Sequence, residues 1–221
     1  MSGHHHDHDH HDHDHDHDHD AAPHAPPQPD EKIHSYYQVL GLALKELLIE
    51  KGIVSADEIR KAIEFRDSIT PALGAQIVAR AWLDPSYKAR LLADGTQAVK
   101  DFGIDMGAVH LDVKENTPST HNMIVCTLCS CYPRNVLGLP PSWYKSKEYR
   151  ARAVREPRKV LEEFGTHIGK GVEVRVHDST ADMRYLVLPM RPANTDHMDE
   201  YELADLVTRD CMIGTALPKQ F

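Results

Sequence analysis

Three of the four cysteines in the 221-residue chain lie within six positions, in the stretch Val-Cys-Thr-Leu-Cys-Ser-Cys-Tyr at residues 125–132. Cysteines kept for packing would lie singly on apolar faces, and disulfide cysteines would be spread so that each bridge closes a loop. Cys126 and Cys129 are three residues apart, so one turn of chain brings both sulfurs to one side. Cys131 can then supply a third corner. The spacing favours three thiolates around one metal ion.

The single residue between the last two cysteines, Ser130, suggests a second kind of ligand. It forces the main chain between Cys129 and Cys131 against the same centre. The main-chain nitrogens of Ser130 and Cys131 can also bind a metal there if they lose their protons, which requires a strongly polarising, trivalent ion. We call Cys126, Cys129, Ser130 and Cys131 the cysteine claw.

Two other interpretations of these cysteines stay open on the residues alone. A zinc site needs a fourth ligand, for which His121 and Cys211 are the candidates, and four-coordinate zinc usually uses two separated pairs. A disulfide within Cys-x-x-Cys or Cys-x-Cys would indicate a redox motif, but no thioredoxin-like strand and helix flank the claw.

Composition sets the class of protein. With 41% hydrophobic residues the chain can bury one core, and no apolar run approaches the roughly 20 residues of a membrane span. No signal peptide opens the sequence, and free cysteines fit a reducing compartment, so we expect a cytoplasmic protein. The net charge of −9 becomes −2 without the seven aspartates of residues 1–20. No basic region predicts binding to nucleic acid.

The first 29 residues are predicted to be a disordered tail and linker. Three histidines at residues 4–6 are followed by histidine and aspartate in near alternation to Asp20, and a proline-rich segment follows at residues 21–29. The imidazoles can chelate cobalt, nickel, zinc or copper, which suggests a metal-loading arm for the claw. An affinity tag or a tail without a role is the alternative. The candidate chelating residues are His4, His5, His6, His8 and His10.

The first half of the remaining chain predicts a helical layer. Leucines at three- and four-residue steps indicate a helical arm within residues 30–54 that ends near Gly52. Ser55 and Glu58 form a predicted capping box, which opens a helix through about residue 67. Prolines at 71 and 85 start two further helices, the first ending at Trp82 and the second at Gly95.

The second half changes to short strands and helices. Strands are predicted at residues 109–113, 123–125, 172–176, 184–188 and 211–213, and helices at 146–154, 157–164 and 200–207. The claw follows a strand end. We expect an α+β fold, with an N-terminal helical layer and arm over a small layered α/β core that carries the claw within residues 55–221.

The claw and its neighbours resemble the alpha subunit of nitrile hydratases, from about residue 52 to 218. Thr127 between the first two cysteines resembles the cobalt enzymes, whereas the iron branch tends to have serine there. The flanking signatures are Val-Ala-Arg-Ala-Trp at 78–82, Asp-Gly-Thr at 94–96, Leu-Gly-Leu-Pro-Pro at 137–141, Trp-Tyr-Lys-Ser at 143–146, Val-Arg-Glu-Pro-Arg at 154–158, Arg-Tyr-Leu-Val-Leu-Pro at 184–189 and Val-Thr-Arg-Asp at 207–210.

The resemblance implies a fold and a chemistry. It implies a nitrile hydratase alpha-like fold and a hydro-lyase that converts a nitrile to its amide at one low-spin Co(III) ion, with non-haem Fe(III) as the alternative. It further implies an unmodified axial thiolate at Cys126, a sulfinic acid at Cys129 and a sulfenic acid at Cys131. The sulfenate oxygen of Cys131 would be the nucleophile or base that acts on the nitrile carbon.

The resemblance also implies partners. Two oxidised sulfurs are anionic, and in the family arginines from a beta subunit balance them, so we expect an obligate heteromer. A small activator protein for cobalt insertion is a further expected partner. Asp178 and Arg184 match family positions and are expected to act behind the claw or at a subunit contact. A structural ion pair is the alternative for these two residues.

One departure from the family bears on the substrate. Arg134 stands where many nitrile hydratases have tryptophan, and here the chain resembles the gamma subunit of thiocyanate hydrolase, which has the same claw. A guanidinium beside the pocket would favour anionic thiocyanate, which is hydrolysed to carbonyl sulfide and ammonia. An interface ion pair is the alternative role of Arg134. The segments at 139–141 and 144–146 favour nitrile hydratase. A metal-storage module, with the histidine tail as its working part, is the third alternative.

Overall fold

The structure is a computed structural model that describes residues 35–129 and 131–220. Contacts divide the chain into two compact units, Met1–Ile53 and Val54–Phe221, and each is described by itself. The predicted tail and linker of residues 1–29 lie outside the described residues. The predicted domain boundaries stay a prediction.

The described part of the first unit is one helix, α1, at Tyr36–Glu50. Ser35 caps it, because its side chain accepts from the main-chain nitrogen of Gln38 while the Gln38 side chain accepts from Ser35 at 2.7 Å. None of its residues is buried, and apolar side chains are left open, among them Tyr37 at 79% and Leu44 at 54% exposure. The predicted helix is confirmed, but its apolar residues need a covering surface.

The second unit begins with helices α2 at Ala56–Ser68, α3 at Pro71–Leu83 and α4 at Pro85–Ala93. The predicted capping box forms, with Glu58 accepting from Ser55 at 2.7 Å. The sequence did not predict the next helix, α5 at Gly95–Ala98, or the 3-10 turn after it. The Asp94 side chain accepts from the Gln97 nitrogen at 3.0 Å, so a new helix starts where glycine was expected to stop one.

Four strands form two separate parallel pairs. Strand β1 at His110–Glu115 pairs with β4 at Met183–Leu188. Strand β2 at Thr120–Val125 pairs with β3 at Glu173–Asp178, in a register that places Asp178 opposite Val125. All four strands were predicted within a few residues. The register brings the end of β3 beside the start of the claw.

The remaining helices surround these strands. They are α6 at Arg134–Leu137, α7 at Lys147–Arg155, α8 at Pro157–Glu163, α9 at Glu200–Asp205 and α10 at Arg209–Ile213, with a 3-10 turn at Ser142–Lys145. The strand predicted at residues 211–213 is wrong, because these residues belong to α10. Thr208 caps that helix by accepting from the Cys211 nitrogen at 3.4 Å, and Gly214 ends it in the left-handed conformation.

The core lies between α3 and the strands β2 and β4. Ile77 and Val78 of α3, Ile124 of β2 and Leu186 of β4 are all fully buried. The α+β prediction is therefore confirmed, with helices packed over short strands. Because β2 is buried along most of its length, it holds the first claw residue, Cys126, at 0% exposure. Within the described residues, no helix is long and apolar enough to span a bilayer.

Candidate metal centre

The three claw cysteines lie together at the end of β2. The Cys126 and Cys129 sulfurs are 3.4 Å apart, and those of Cys129 and Cys131 are 3.2 Å apart. All three sulfurs lie within 4.8 Å of one another, and this is the one such group of possible ligands among the described residues. The Cys129 nitrogen donates to the Cys126 sulfur at 3.3 Å, as a turn between the two cysteines requires.

The sulfur separations test which metal geometry the claw fits. A metal–sulfur bond of about 2.3 Å gives about 3.3 Å between sulfurs at right angles and about 3.8 Å along a tetrahedral edge. The separations of 3.2 and 3.4 Å therefore match adjacent corners of an octahedron. Thiolates suit a soft or borderline transition metal. The residues fit a six-coordinate ion such as cobalt better than tetrahedral zinc.

The three claw cysteines differ in how deeply they are buried. Cys126 is buried, Cys131 is partly buried and Cys129 is exposed. Burial and the hydrogen bonds to the Cys129 and Cys126 sulfurs raise the pKa of Cys131 to about 12, while the charge of Arg184 opposes the rise. A cation must therefore displace the thiol proton, and metal binding at the claw is coupled to proton release.

A carboxylate fixes the turn between the first two cysteines. Asp178 accepts from the Thr127 nitrogen at 2.9 Å and from the Thr127 hydroxyl at 2.5 Å. The β2–β3 register carries Asp178 to this position, opposite the residue before Cys126. Serine would make the same hydroxyl contact, so this hydrogen bond does not by itself explain a preference for cobalt over iron.

Two residues from the following segments bind main-chain carbonyls of the claw. The Tyr144 hydroxyl donates to the carbonyl of Cys131 at 2.9 Å. Arg150 of α7 donates through Nη1 to the carbonyl of Cys129. Tyr149 binds the strand just before the claw, donating to the carbonyl of Ile124 at 2.7 Å. Burial raises the pKa of Tyr144 and Tyr149, so both phenols stay protonated donors.

The family model for the alpha chain of nitrile hydratase matches residues 35–216. The chain belongs to this family. It is 53% identical, over 178 residues, to the alpha subunit of the low-molecular weight cobalt-containing nitrile hydratase of Rhodococcus rhodochrous, covering 80% of this chain and 86% of that protein. The thiocyanate hydrolase gamma subunit of Thiobacillus thioparus is a relative at 44% identity over 205 residues, covering 87% of this chain and 84% of that protein.

A solved structure extends the comparison to the fold. A double mutant of the Fe-type nitrile hydratase of Comamonas testosteroni Ni1 matches with a TM-score of 0.77 at 42% identity, covering 82% of this chain and 90% of that chain. The predicted nitrile hydratase alpha-like fold is thus confirmed. Because relatives of both cobalt and iron type occur in the family, membership alone does not choose the metal.

The two candidates for a fourth zinc ligand lie elsewhere in this nitrile hydratase alpha-like fold. His121 is buried in β2, where its Nε2 donates to the carbonyl of Gly214 at 2.8 Å and its Nδ1 faces Asn116 at 3.4 Å. Cys211 is buried in α10 with its sulfur 3.1 Å from the Thr208 hydroxyl. Both have structural partners, and neither is part of the sulfur group.

The two charged residues expected behind the claw are placed differently. Asp178 contacts the claw directly through Thr127. Arg184 of β4 donates to three main-chain carbonyls, those of Thr180, Ala181 and Met183, at 2.5, 3.2 and 3.0 Å. No ion pair joins Asp178 to Arg184 among the described residues, so the alternative of a structural pair between them does not form.

The remaining predicted residues are less constrained. Arg134 opens α6 with its side chain exposed, three residues after Cys131. Ser130, predicted as a main-chain ligand, and the predicted chelating residues His4, His5, His6, His8 and His10 lie outside the described residues.

Sequence reasoning did not single out Tyr144, Tyr149 or Arg150 as individual residues. Each one donates to a main-chain carbonyl, and a carbonyl leaves no side-chain signature in the sequence. Tyr144 lies inside the Trp-Tyr-Lys-Ser signature at 143–146, which is the one signal that marked this segment. Arg150 and Tyr149 follow directly in α7, outside the quoted signatures.

Proposed function

We propose that this chain is the metal-binding catalytic subunit of a nitrile hydratase, a hydro-lyase that hydrates a nitrile to the amide. The observation that carries the proposal is the claw: three sulfurs 3.2 and 3.4 Å apart follow a buried strand, in a chain of the nitrile hydratase alpha family. The cobalt-containing relative at 53% identity favours cobalt, with iron as the alternative.

The residues that would hold one ion are Cys126, Cys129 and Cys131, together with the main-chain nitrogens of Ser130 and Cys131. When bound, a low-spin Co(III) ion supplies a Lewis acid that polarises a nitrile or activates water. Cys126 is buried and fixes one end of the claw in the core, whereas Cys129 is exposed at the surface. Asp178, Tyr144 and Arg150 fix the main chain around these sulfurs.

We further propose that Cys129 is oxidised to sulfinic acid and Cys131 to sulfenic acid, as the family resemblance implies. The sulfenate oxygen of Cys131 would act as the nucleophile or base on the nitrile carbon. The exposure of Cys129 and the partial exposure of Cys131 support oxidation at these two positions, while buried Cys126 stays an unmodified thiolate.

A beta-type partner subunit is part of the proposal. Apolar side chains are open at Leu128, between the first two claw cysteines, at 87% exposure, and at Leu139, eight residues after Cys131, at 62%, and apolar residues of α1 are open as well. Oxidised sulfurs at an open surface need cationic groups, which the partner would supply as arginines. An activator protein for cobalt insertion and a cytoplasmic location, expected from the free thiols, remain predictions.

Thiocyanate hydrolysis is the second candidate. It is favoured by the exposed side chain of Arg134, three residues after Cys131 in the chain, and by the gamma-subunit relative at 44% identity. A positive charge at the entrance to the site attracts anionic thiocyanate but does not attract a neutral nitrile. Arg134→Gln would lower turnover of thiocyanate and leave that of a nitrile unchanged if Arg134 serves the anion.

The storage alternative depends on the tail. The metal-loading and storage roles of His4, His5, His6, His8 and His10 both predict that deletion of residues 1–20 lowers cobalt content in metal-poor medium. Only the storage role predicts a chain whose claw carries no oxygen. An unchanged cobalt content after deletion would remove both roles.

The proposed function is tested on this chain co-expressed with a beta-type subunit and cobalt, by measuring turnover of a simple nitrile and of thiocyanate. Amide formation would support the hydratase. Carbonyl sulfide and ammonia would move the assignment to thiocyanate hydrolase. A zinc-loaded complex with unmodified cysteines and no turnover of either compound would overturn the catalytic proposal.

A further inference from the structure

Arg150 is a cation placed against the claw with no carboxylate of its own. Its Nη1 donates to the carbonyl of Cys129, the peptide group that leads from the second claw cysteine into Ser130. Its Nε is buried and has no hydrogen-bond partner among the described residues. Two residues further along α7, Arg152 forms ion pairs with Glu156 and Glu163, at 2.6 and 2.5 Å. No such ion pair is formed by Arg150 in the described part of the chain.

The unpaired Nε and the unpaired charge of Arg150 destabilise the fold unless an interaction at the claw compensates for them. A buried donor without a partner destabilises a fold. A half-buried guanidinium would also ordinarily be paired with an acid. The claw itself can supply the opposite charge. Its thiolates and deprotonated main-chain nitrogens would leave an excess of negative charge around the ion.

We propose that Arg150 is a positioning residue that orients the Cys129 peptide group and stabilises the anionic, metal-loaded claw. The guanidinium donates to the carbonyl oxygen of Cys129, so it holds that carbonyl in place and brings a positive charge beside the claw. Arg150 thus supports the claw without itself being a ligand. The inference rests on the proposed function, which supplies the metal.

The test uses the co-expressed, cobalt-loaded complex and compares Arg150→Gln with Arg150→Lys and with the control Arg155→Gln. Arg155 lies on the same helix and also donates to a main-chain carbonyl, that of Ala151 at 3.0 Å, but it is exposed and this hydrogen bond lies within α7 and not at the claw. Cobalt retained against a chelator and the energy of the sulfur-to-cobalt absorption band are measured for each variant, with thermal melting as a check on folding.

The expected result is roughly tenfold weaker retention of cobalt and a shifted absorption band in Arg150→Gln. Arg150→Lys, which keeps the charge, is expected to lose less, and Arg155→Gln to match the unmodified chain. If Arg150→Gln does not fold, Arg150→Met, which keeps much of the aliphatic stem but not the charge, takes its place, and cobalt retention and an absorption band equal to those of the unmodified chain then overturn the inference.

The outcomes separate this inference from the proposed function. An unmodified complex that holds cobalt and hydrates a nitrile, with Arg150→Gln equal to it in retention and spectrum, overturns the role of Arg150 alone. An unmodified complex that binds no cobalt overturns the proposed function and this inference with it.

Discussion

At the scale of single residues, the claw is held by hydrogen bonds to its main chain. Asp178 binds the turn after Cys126, Tyr144 binds the carbonyl of Cys131, and Arg150 binds the carbonyl of Cys129. These contacts come from three different segments. They make the position of the sulfurs depend on the packing of the whole second unit, and each can be removed separately.

Removal of the Thr127 hydroxyl is expected to loosen the claw. Thr127→Val keeps the shape of the side chain but loses the 2.5 Å hydrogen bond to Asp178, whereas Thr127→Ser keeps it. A charge-assisted hydrogen bond contributes about 1.5–3 kcal/mol, so we expect reduced cobalt content in Thr127→Val and unchanged content in Thr127→Ser. Metal analysis of both purified complexes checks this. Equal cobalt in the two variants would show that the contact does not hold the claw.

A pair of tyrosine variants separates claw geometry from general stability. Tyr144→Phe removes the donor to Cys131, and Tyr149→Phe removes a similar donor to the carbonyl of Ile124, inside β2. Each change should lower the free energy of unfolding by about 1 kcal/mol. We expect only Tyr144→Phe to change the cobalt absorption spectrum. A spectrum altered equally in both variants would contradict a specific role for Tyr144.

At the scale of elements, the position of the claw depends on how β2 is packed against its neighbours. Gly214, just after α10, has a φ of +87°, and a Cβ there would meet the carbonyl of Asn122 and lie 2.8 Å from the Cα of Met123. The left-handed conformation ends α10, and the close approach of this helix end to β2 leaves no room for a side chain.

Substitution at this contact is expected to be severe. Gly214→Ala should lower the free energy of unfolding by at least about 3 kcal/mol, since strand backbone must move to admit the methyl group. The control is Gly165→Ala, at a φ of +80° with nothing within 4 Å, which should cost about 1 kcal/mol. Denaturant unfolding of both full-length variants measures the difference. Equal losses would mean that the close approach to β2 contributes nothing.

The buried histidine of β2 gives the fold a pH dependence. Burial lowers the pKa of His121 below its ordinary value of 6.5, although the hydrogen bond to Gly214 opposes the shift. The unfolded chain therefore takes up a proton more readily, and the free energy of unfolding should fall as the pH drops below about 6.5. His121→Gln, which cannot gain that proton, should show a shallower loss between pH 7 and pH 5 in denaturant titrations. An equally steep loss would contradict this role of His121.

The sequence predicted most of these elements because their signals are local. The Ser55 capping box, the prolines that open α3 and α4, and the spacing of the three cysteines are all contained in a few neighbouring residues. The error at residues 211–213 has a physical cause, since three apolar residues fit a strand as well as a buried helix turn. These residues are helical because Thr208 caps the start of α10 and Gly214 ends it.

The contacts behind the claw were less predictable because they depend on register and on main-chain acceptors. Asp178 was marked by resemblance, but its bond to Thr127 follows from the pairing of β2 with β3, 51 residues apart in the chain. Arg150 contacts a carbonyl, and no sequence pattern records which carbonyl a side chain will reach.

At the scale of the whole molecule, each of the two units leaves apolar side chains open. They lie along α1 in the first unit, and at Leu128, between the first two claw cysteines, and Leu139 in the second. In the proposed assembly a beta-type subunit covers the claw and brings cations to its oxidised sulfurs. That assembly predicts activity from the complex and not from this chain alone.

In the proposed site the three claw sulfurs bind one six-coordinate cobalt ion, and cobalt X-ray absorption on the co-expressed complex tests this most directly. We expect one cobalt per chain with three sulfur ligands at about 2.3 Å and lighter atoms at the other positions. Cys129→Ser should remove one of these sulfurs from the spectrum. A four-coordinate site, or a cobalt spectrum that Cys129→Ser leaves unchanged, would contradict it.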